Sequence, residues 1–428
     1  MKILITGASG FIGRHLIHAL RHRHTLKACV RNPDHWRRLG FDLDYVQTDF
    51  AAMTDETAWL PLLESIDAVI NCVGIIAENP AQRFSELHSL APQALFRAAQ
   101  GSGVRKIIQI SALGADSEAQ SAYHLSKRAA DEALARLPVD WFILRPSIVY
   151  GPGAQSMALF HALAALPVHI VLDDGQQLIQ PVHIDDLVAT VNLCLDGRCP
   201  AGSIIDVVGP QTIAYADLLA LLRKRLGQAT APVVSVASRL AMKFSGAGKL
   251  LGIPALSADG IRMLLRGNNA DAEPLSRLLE RPPASVQEKL GDVPATQAER
   301  WHAGLLLLKP LLRFSLAVLW IASGLVSAFF FPPEQSYAWL AALGITGMPA
   351  PLFLYGLAAL DILLGTALLI GYRLRATIAL QIIATLAYSV VIAVGLPEFW
   401  LHPFAPLVKN IPLLIASLIL AVLEGERA

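Results

Sequence analysis

The sequence predicts a doubly wound α/β domain with a parallel sheet, followed by an all-α membrane domain of four helices. Short apolar, β-branched segments alternate with helical patterns through the first half of the chain, which is typical of a parallel sheet covered on both faces. A glycine-rich turn directly follows the first of these segments. After residue 310, four apolar stretches of about bilayer length appear.

Seven strands and five helices are predicted in the N-terminal part. The strands are expected at residues 2–6, 25–31, 43–48, 67–73, 105–111, 140–149 and 203–208. The helices are expected near residues 11–22, 54–64, 84–101, 121–136 and 185–195. A less regular, proline-containing region follows and reads as a small helical substrate or lid region, joined by a linker to the membrane part. The predicted domains are 1–230, 231–300 and 301–428, with the linker at 295–309.

Composition and charge exclude several functional classes. Charged residues make up 16% of the chain, against about 25% in typical soluble domains, and the deficit lies in the last third. A net charge of +1 gives no basis for attraction to nucleic acid. The histidines His15, His18, His22 and His24 lie among arginines that would repel a cation, so we predict a solvated helix face and no metal site.

The glycine-rich turn indicates a dinucleotide site. Gly7, Gly10 and Gly13 follow a strand and open a helix. Glycines permit a tight turn and a close backbone approach to a pyrophosphate, and the helix N-terminus adds free N–H donors. This strand–turn–helix context indicates a Rossmann-type domain. The predicted nucleotide-binding residues of the turn are Gly7, Ser9, Gly10, Phe11, Ile12 and Gly13.

The end of the second strand bears on the choice between NAD and NADP. An acidic residue there would accept hydrogen bonds from a ribose 2′-hydroxyl, whereas Arg31 suits a 2′-phosphate. The sequence therefore favours NADP as cofactor. Asp34 could still reach a ribose, which keeps NAD open, and Arg31 as a solvated strand-end charge is the structural alternative.

A tyrosine and a lysine form the candidate catalytic pair. Tyr123 and Lys127 are four residues apart on a predicted helix, so their side chains share one face. The ammonium is expected to lower the pKa of the phenol. The phenol can then exchange a proton with a carbonyl or alcohol while a hydride moves to or from the nicotinamide. Lys127 is also expected to hold the nicotinamide ribose, and Ser111, after the fifth strand, to polarise the substrate oxygen.

These motifs resemble the extended and atypical branches of the short-chain dehydrogenase/reductase superfamily over about residues 1–300. The resemblance implies further cofactor contacts by residues that follow the third, fourth and sixth strands, namely Asp49, Asn71, Val73, Gly74 and Pro146. It also covers residues 181–187, where we expect Asp185 or Asp186 to cap a helix and His183 to be a structural strand-end residue.

Two functional classes remain open from the resemblance. Residues 253–259 and 264–269 resemble the atypical group that contains the complex I accessory subunit, in which the fold often binds NADPH without an established turnover role. Tyr123 and Lys127 are nevertheless both present here. The chain is therefore predicted to be an NAD(P)-dependent oxidoreductase or, alternatively, a non-catalytic NADPH sensor or assembly module of a respiratory complex. The resemblance also implies pairing of two copies into a homo-oligomer.

The C-terminal stretches predict a multi-pass inner-membrane protein. The spans are expected at 311–331, 350–371, 376–396 and 409–423. Two of them exceed 18 residues without Lys or Arg, which disfavours buried helical hairpins in a soluble protein. Basic residues flank one side of the spans, at Lys309, Arg313, Arg373, Arg375 and Arg427, whereas loops 332–349 and 397–408 have none. Both termini are therefore predicted to be cytoplasmic.

The apolar part also resembles a known family, most specifically at residues 399–412. Over residues 311–424 it is similar to the DoxX-like four-helix membrane family, whose members are tied loosely to quinone-linked redox chemistry. A membrane anchor favours an unknown small-molecule substrate that is lipid-soluble, such as a quinone or isoprenoid. Asp361 lies in mid-span, where an ionisable residue needs a partner or cavity, and Lys409 or Asn410 are candidate partners. Two roles remain open for Asp361, a packing contact and a functional group. A membrane domain that acts as a small transporter also remains an open alternative.

Overall fold

The computed structural model describes residues 1–38, 43–79, 82–246, 257–291 and 293–424. Residues 253–256, part of the segment that resembles the complex I accessory subunit, and Arg427 lie outside the described residues. Contacts within the chain divide it into two compact units, Met1–Gly304 and Leu305–Ala428.

Seven parallel strands form the main sheet of the first unit, which confirms the predicted fold class. They are β1 (Lys2–Thr6), β2 (Thr25–Val30), β3 (Asp44–Gln47), β4 (Ala68–Asn71), β5 (Lys106–Ile110), β6 (Asp140–Pro146) and β7 (Ser203–Val207). Their spatial order is β7-β6-β5-β4-β1-β2-β3. The order reverses between β1 and β4, and ligands of such sheets bind outside the carboxyl ends of the strands at this switch point.

Helices cover both faces of this sheet. They are α1 (Phe11–Leu20), α2 (Pro33–Arg38), α3 (Ala91–Gly101), α4 (Ala122–Ala135) and α6 (Ile184–Leu195), whereas α5 (Gln155–Ala165) and α7 (Tyr215–Arg225) pack together in a separate core. Because side chains alternate along a strand, Ile3 and Ile5 of β1 pack in one core with Leu16 of α1, whereas Leu4 packs in the opposite core with Leu95 of α3.

The remaining elements of the first unit are short. Three two-stranded pairs are formed by Val149–Tyr150 with Val182–His183, by Leu178–Ile179 with Ile213–Ala214, and by His169–Leu172 with Val233–Val236. The predicted helical region contains α8 (Ser238–Lys243), α9 (Ala258–Arg266) and α10 (Glu273–Leu279). These helices supply the C-terminal, less regular part of the unit.

The helix predicted over residues 54–64 is wrong. Two short 3₁₀ turns take its place, at Glu56–Ala58 and Leu60–Leu62, and a third at Phe50–Ala52 precedes them. Asp55 accepts a hydrogen bond from the backbone N–H of Thr57 at 2.8 Å, and such local bonds compete with helix formation. Pro61 lacks an N–H donor, which prevents a continuous helical ladder through this segment.

Two other predicted boundaries are also wrong. The strand expected at 140–149 ends at Pro146, and Val149–Tyr150 joins a different pair of strands. The linker expected at 295–309 is helical from Gln297 onward, as the first part of α11 (Gln297–Leu325). Thr296 and Glu299 form a reciprocal capping box there, with Glu299 N donating to Thr296 Oγ1 at 3.2 Å and Thr296 N to Glu299 Oε2 at 2.8 Å.

Four long apolar helices dominate the second unit and confirm the predicted number of spans. The candidate spans are Gln297–Phe330, which consists of α11 and a π-helical turn, then α13 (Pro349–Ile370), α14 (Leu374–Gly395) and α15 (Pro406–Glu424), with the shorter α12 (Pro333–Ala342) after the first. Glycines bring α11 and α13 into backbone contact. A side-chain carbon at Gly324 would lie 2.4 Å from the Ala358 carbonyl oxygen, and one at Gly365 would lie 2.8 Å from that of Ala317.

Candidate nucleotide and proton-transfer site

The glycine turn between β1 and α1 lies at the switch point of the sheet. Gly7 has φ of +66°, and a side-chain carbon there would lie 2.9 Å from the carbonyl of Cys72, just after β4. A side-chain carbon at Gly13 would lie 2.3 Å from the Gly7 oxygen. The residue that caps α1 is Gly10, which has no side chain, so the first N–H groups of the helix remain free for an anion. This turn therefore fits a pyrophosphate.

Asn71 joins the ends of three strands beneath this turn. Its Oδ1 accepts hydrogen bonds from Thr6 Oγ1 at 2.6 Å and from Val73 N at 3.2 Å, and its Nδ2 donates to Gln109 Oε1 at 2.7 Å. Asn71 is 0% exposed. The sequence predicts that Asn71 contacts the cofactor directly. In the structure its buried side chain instead supports the site, because it holds β1, β4 and β5 in register below the crevice.

Lys127 bridges the segments that follow β4 and β5. Its Nζ donates to the carbonyl oxygens of Val73 at 3.0 Å and Ile110 at 3.1 Å, which leaves one N–H for a ligand. A side-chain carbon at Gly74 would lie 3.1 Å from Nζ, so glycine keeps this approach open. Burial lowers the pKa of Lys127 to about 8, partly offset by Asp131, and the group stays predominantly an ammonium at neutral pH.

Tyr123 lies one helical turn before Lys127 on α4. Its ring packs edge-on against Phe84 and His88, with centroids 5.9 and 5.4 Å away. Burial raises the pKa of Tyr123 to about 12, and the Asp131 carboxylate adds to this rise. The expected lowering of this pKa is therefore wrong, because burial and the Asp131 carboxylate both disfavour the phenolate. The phenol keeps its proton at neutral pH.

Ser111 faces a partner that the sequence reading missed. Its Oγ donates to Asp131 Oδ2 at 2.6 Å, and Arg145 Nε lies 3.5 Å from the same oxygen. A hydroxyl has one proton, so Ser111 cannot polarise a substrate oxygen while it donates to Asp131. Burial raises the pKa of Asp131 to about 6, against the opposing effects of Ser111, Arg145 and Lys127. Asp131 lies four residues after Lys127, which places both side chains on the same face of α4. This spacing is the sequence signal that could have revealed Asp131.

His88 is a second residue that the sequence reading missed. Its Nε2 accepts a hydrogen bond from Ile75 N at 3.0 Å, so the hydrogen-bond network assigns the ring proton to Nδ1, 3.0 Å from Ser126 Oγ. Burial lowers the pKa of His88 to about 2, and the Lys127 charge adds to this. The neutral ring ties the segment after β4 to α4, and no sequence pattern signals it.

The residues expected near the adenosine end lie at the carboxyl edges of β2 and β3. Arg31 directly follows β2 and is exposed, and Asp49 lies just after β3 and is also exposed. Asp34 pairs with Arg37 within α2 at 3.1 Å, which draws its carboxylate toward its own helix. Arg31 is thus an exposed cation at the carboxyl edge of β2.

The other predicted contacts surround the same edge. Ser9, Phe11, Ile12 and Val73 are half-buried, Gly74 is exposed, and Pro146 is buried at the end of β6, where its carbonyl oxygen accepts a hydrogen bond from Leu113 N at 2.9 Å. Ser111, Tyr123 and Lys127 lie after β5 and on α4, so the fold brings the predicted catalytic residues to the same edge as the glycine turn.

The helix cap expected at Asp185 or Asp186 is wrong. His183 ends its short strand, as expected, and caps α6 itself by accepting a hydrogen bond from Asp185 N at Nδ1 over 3.3 Å. Asp186 is buried and instead holds the later segment, with Ala284 N at 2.8 Å and an ion pair to Arg281 at 2.6 Å. Both roles are structural.

Comparison with known proteins defines the class of each domain. The NAD(P)H-binding family matches residues 7–159, and the DoxX-like family matches residues 317–418. The chain therefore carries a nicotinamide-dinucleotide-binding domain of the epimerase and reductase type, fused to a DoxX-like domain with four apolar helices, and is a membrane protein.

Individual relatives resemble the first domain. A ceramide reductase of Caulobacter vibrioides is 31% identical over 213 residues, or 48% of this chain and 63% of that protein. Subunit 9 of the NADH dehydrogenase [ubiquinone] 1 alpha subcomplex of Arabidopsis thaliana is 24% identical over 51% of this chain and 56% of that subunit. Both matches span less than two thirds of the relative. A UDP-glucuronic acid 4-epimerase structure from Bacillus cereus shares the fold, with a TM-score of 0.54, 21% identity and coverage of 72% of this chain and all of that one.

We expect Gly13→Ala to disturb the nucleotide turn, because the added carbon would lie 2.3 Å from the Gly7 oxygen. Overpacking of this kind costs about 1–3 kcal/mol of unfolding free energy. Gly101→Ala is the matched control, since no atom lies within 4 Å of a side-chain carbon there. Thermal unfolding and NADPH titration of the full chain in detergent check this, and equal behaviour of both variants would contradict it.

The raised pKa of Asp131 predicts a pH-dependent difference between wild type and Asp131→Asn. From the ordinary value of 3.8 up to about 6, the unfolded chain releases this proton while the folded chain retains it. Wild type therefore loses stability relative to the variant as pH rises through this window, by of order 3 kcal/mol in total. Unfolding temperatures measured across the window test the slope.

Asp67→Asn is the control for this pH series and should show the opposite sign. The backbone N–H of Lys2 and the Arg105 side chain hold the pKa of Asp67 below its ordinary value. Wild type therefore loses stability relative to Asp67→Asn as pH falls. Parallel slopes for both aspartate variants would show that the pKa of Asp131 is not raised in the folded chain.

Proposed function

We propose that this protein is an NADP(H)-dependent oxidoreductase that interconverts a carbonyl and an alcohol. The observation that carries the proposal is the position of Lys127, whose Nζ is held by the Val73 and Ile110 carbonyls one helical turn from Tyr123. The turn of Gly7 to Gly13 at the same sheet edge fits the dinucleotide phosphates.

The chain's own groups supply binding and proton transfer. A bound nicotinamide supplies or accepts the hydride. The remaining N–H of Lys127 can hold a ribose hydroxyl, and the Oη of Tyr123 can give its proton to a carbonyl oxygen. The pKa of Tyr123, raised by burial to about 12, leaves the phenol protonated at neutral pH and available to donate to a carbonyl oxygen.

The helical region at residues 231–300 is proposed to cover the substrate. Arg266 at the end of α9 donates to the Gly114 carbonyl oxygen at 2.8 Å and pairs with Asp116 at 2.7 Å. This fixes α9 against the loop that leads from β5 to α4, the helix of Tyr123. A substrate beside the phenol would therefore meet α9 as part of its wall.

The proposed substrate is a carbonyl compound dissolved in the membrane. The four apolar helices keep the enzyme at a bilayer, where such compounds concentrate. The similarity to a ceramide reductase favours a long-chain lipid over a quinone.

We also propose an inner-membrane location with both termini in the cytoplasm. Arg313 donates to the Leu368 and Leu369 carbonyl oxygens, at the C-terminal end of α13, so it lies at the bundle end where Arg373 and Arg375 follow. This clustering supports the orientation expected from the positive-inside rule.

A second candidate is a non-catalytic NADPH-binding module of a membrane assembly. The similarity to the NADH dehydrogenase subunit supports it. The two candidates agree on nucleotide binding and differ in whether Tyr123 transfers a proton.

The Tyr123→Phe variant separates these candidates. We expect it to bind NADPH like wild type and to lose nearly all NADPH-dependent reduction of long-chain ketones in lipid vesicles, because the phenol proton is absent. Tyr215→Phe, which alters a buried tyrosine on α7, should leave the rate unchanged. A physiological phenotype that survives Tyr123→Phe would favour the non-catalytic module.

Arg31→Ala tests the preference for NADP. A charge-assisted hydrogen bond to a 2′-phosphate contributes about 1.5–3 kcal/mol, so the Kd for NADPH should rise roughly 10- to 100-fold. The Kd for NADH should not change. Arg37→Ala is the control, since Arg37 is an exposed arginine that pairs with Asp34 on α2. Equal losses for both nucleotides would mean that Arg31 does not discriminate between them.

A further inference from the structure

A carboxyl group is buried among three helices of the membrane unit. Asp361 lies in the middle of α13 and is 7% exposed. Ser323 Oγ of α11 donates to its Oδ2 at 3.2 Å, and Tyr388 Oη of α14 donates to its Oδ1 at 3.1 Å. Asp361 is thus held by one hydroxyl on each oxygen.

The partners expected from the sequence are wrong. Asn410 Nδ2 donates to Ser389 Oγ at 2.8 Å, and Lys409 Nζ lies 5.7 Å from the centroid of the Phe404 ring. Neither group contacts Asp361, because Asn410 bonds to Ser389 of α14 and Lys409 lies over the Phe404 ring.

The second buried carboxyl of this unit has a different environment. Glu424 Oε2 lies 3.3 Å from Lys309 Nζ, so this carboxylate is paired with a cation. Among the described residues that bond to Asp361, both donors are neutral hydroxyls, and Tyr388 is the titratable one. Arg313 is directed to the carbonyl oxygens of Leu368 and Leu369, about two helical turns further along α13.

This difference decides which form of Asp361 the bundle favours. An ionised carboxylate in the low-dielectric interior is costly without a cation, whereas a protonated carboxyl can donate one hydrogen bond and accept another. Serine and tyrosine hydroxyls both donate and accept, so Ser323 and Tyr388 can bond to either form. The site can therefore exchange a proton without losing its hydrogen bonds.

Helix packing holds these groups at short range. Gly324 directly follows Ser323 and meets the backbone of α13, and Gly365 lies one turn after Asp361 and meets the backbone of α11. Only this close approach lets the short Ser323 side chain reach the carboxyl. The arrangement is built by backbone contact and does not depend on a flexible side chain.

A row of polar groups leads toward the site from one end of α14. Gln381 is 1% exposed, and no hydrogen-bond partner of its Oε1 is found among the described residues. Thr385 follows one turn later and Tyr388 next, so all three share one helix face. Gln381 lies on α14 between Tyr388 and Arg375, so buried polar groups continue from the site toward the basic end of this helix.

We propose that Asp361 is a reversible proton-binding site of the membrane bundle, protonated at neutral pH, with Ser323 and Tyr388 as its positioning residues. The bound species is a proton that adds to one carboxylate oxygen and leaves by the same path. This inference does not depend on the proposed reductase activity.

Labelling of the full chain with dicyclohexylcarbodiimide in lipid nanodiscs tests the proposal. This reagent takes the proton of a buried carboxyl and forms a stable acylurea with it. We expect peptide mass spectrometry to find the adduct on Asp361, with a yield that falls at alkaline pH. Glu424 is the internal control and should stay unlabelled, because its carboxylate is engaged in the ion pair with Lys309. Asp361→Asn should remove the adduct.

Two further measurements keep the outcome decisive. The infrared band of a protonated carboxyl should be present in wild type, absent in Asp361→Asn and lost at alkaline pH. Tyr388→Phe removes one donor to the carboxylate, so labelling should persist to more alkaline pH. The proposal would be overturned if the adduct and the infrared band were both absent, or if neither depended on pH. Tyr123→Phe should label like wild type, which separates this result from the reductase test.

Discussion

The candidate site depends on one buried ammonium. Lys127 Nζ is bound by the carbonyl oxygens of Val73 and Ile110, which belong to the segments after two neighbouring strands. Those carbonyls lie close together only because β4 and β5 run parallel and end at the same edge of the sheet. The same bonds hold α4, the helix that carries Tyr123, to the ends of these strands. A buried charge without such partners would be strongly destabilising.

Around this ammonium, burial controls protonation more than nearby charges do. The pKa of Tyr123 is raised, that of Asp131 is raised, and those of Lys127 and His88 are lowered, each mainly by desolvation. Every one of these shifts favours the neutral form. At neutral pH the Tyr123 phenol therefore keeps its proton, whereas Asp131, with a pKa of about 6, is mostly ionised.

The membrane unit applies the same constraint in a more apolar setting. Among its described residues, the two buried carboxyl groups are stabilised differently. Glu424 forms an ion pair, whereas Asp361 accepts hydrogen bonds from two hydroxyls. The first removes the cost of burial by charge neutralisation. The second offers two neutral hydroxyls, and on this ground we propose a bound proton at Asp361.

The doubly wound sheet, the glycine turn, the Tyr123–Lys127 pair and the four membrane helices could be predicted from the sequence. These features are set by local periodicity, glycine geometry and continuous hydrophobicity, which a short window of residues contains. Four other features emerged only in the folded chain: 3₁₀ turns replace a helix after β3, Ser111 donates a hydrogen bond to Asp131, His88 holds the loop after β4, and Asp361 contacts Ser323 and Tyr388. Burial and most of these partners come from residues distant in sequence, so neither the pKa of Tyr123 nor the neighbours of Asp361 could be known before the chain was folded.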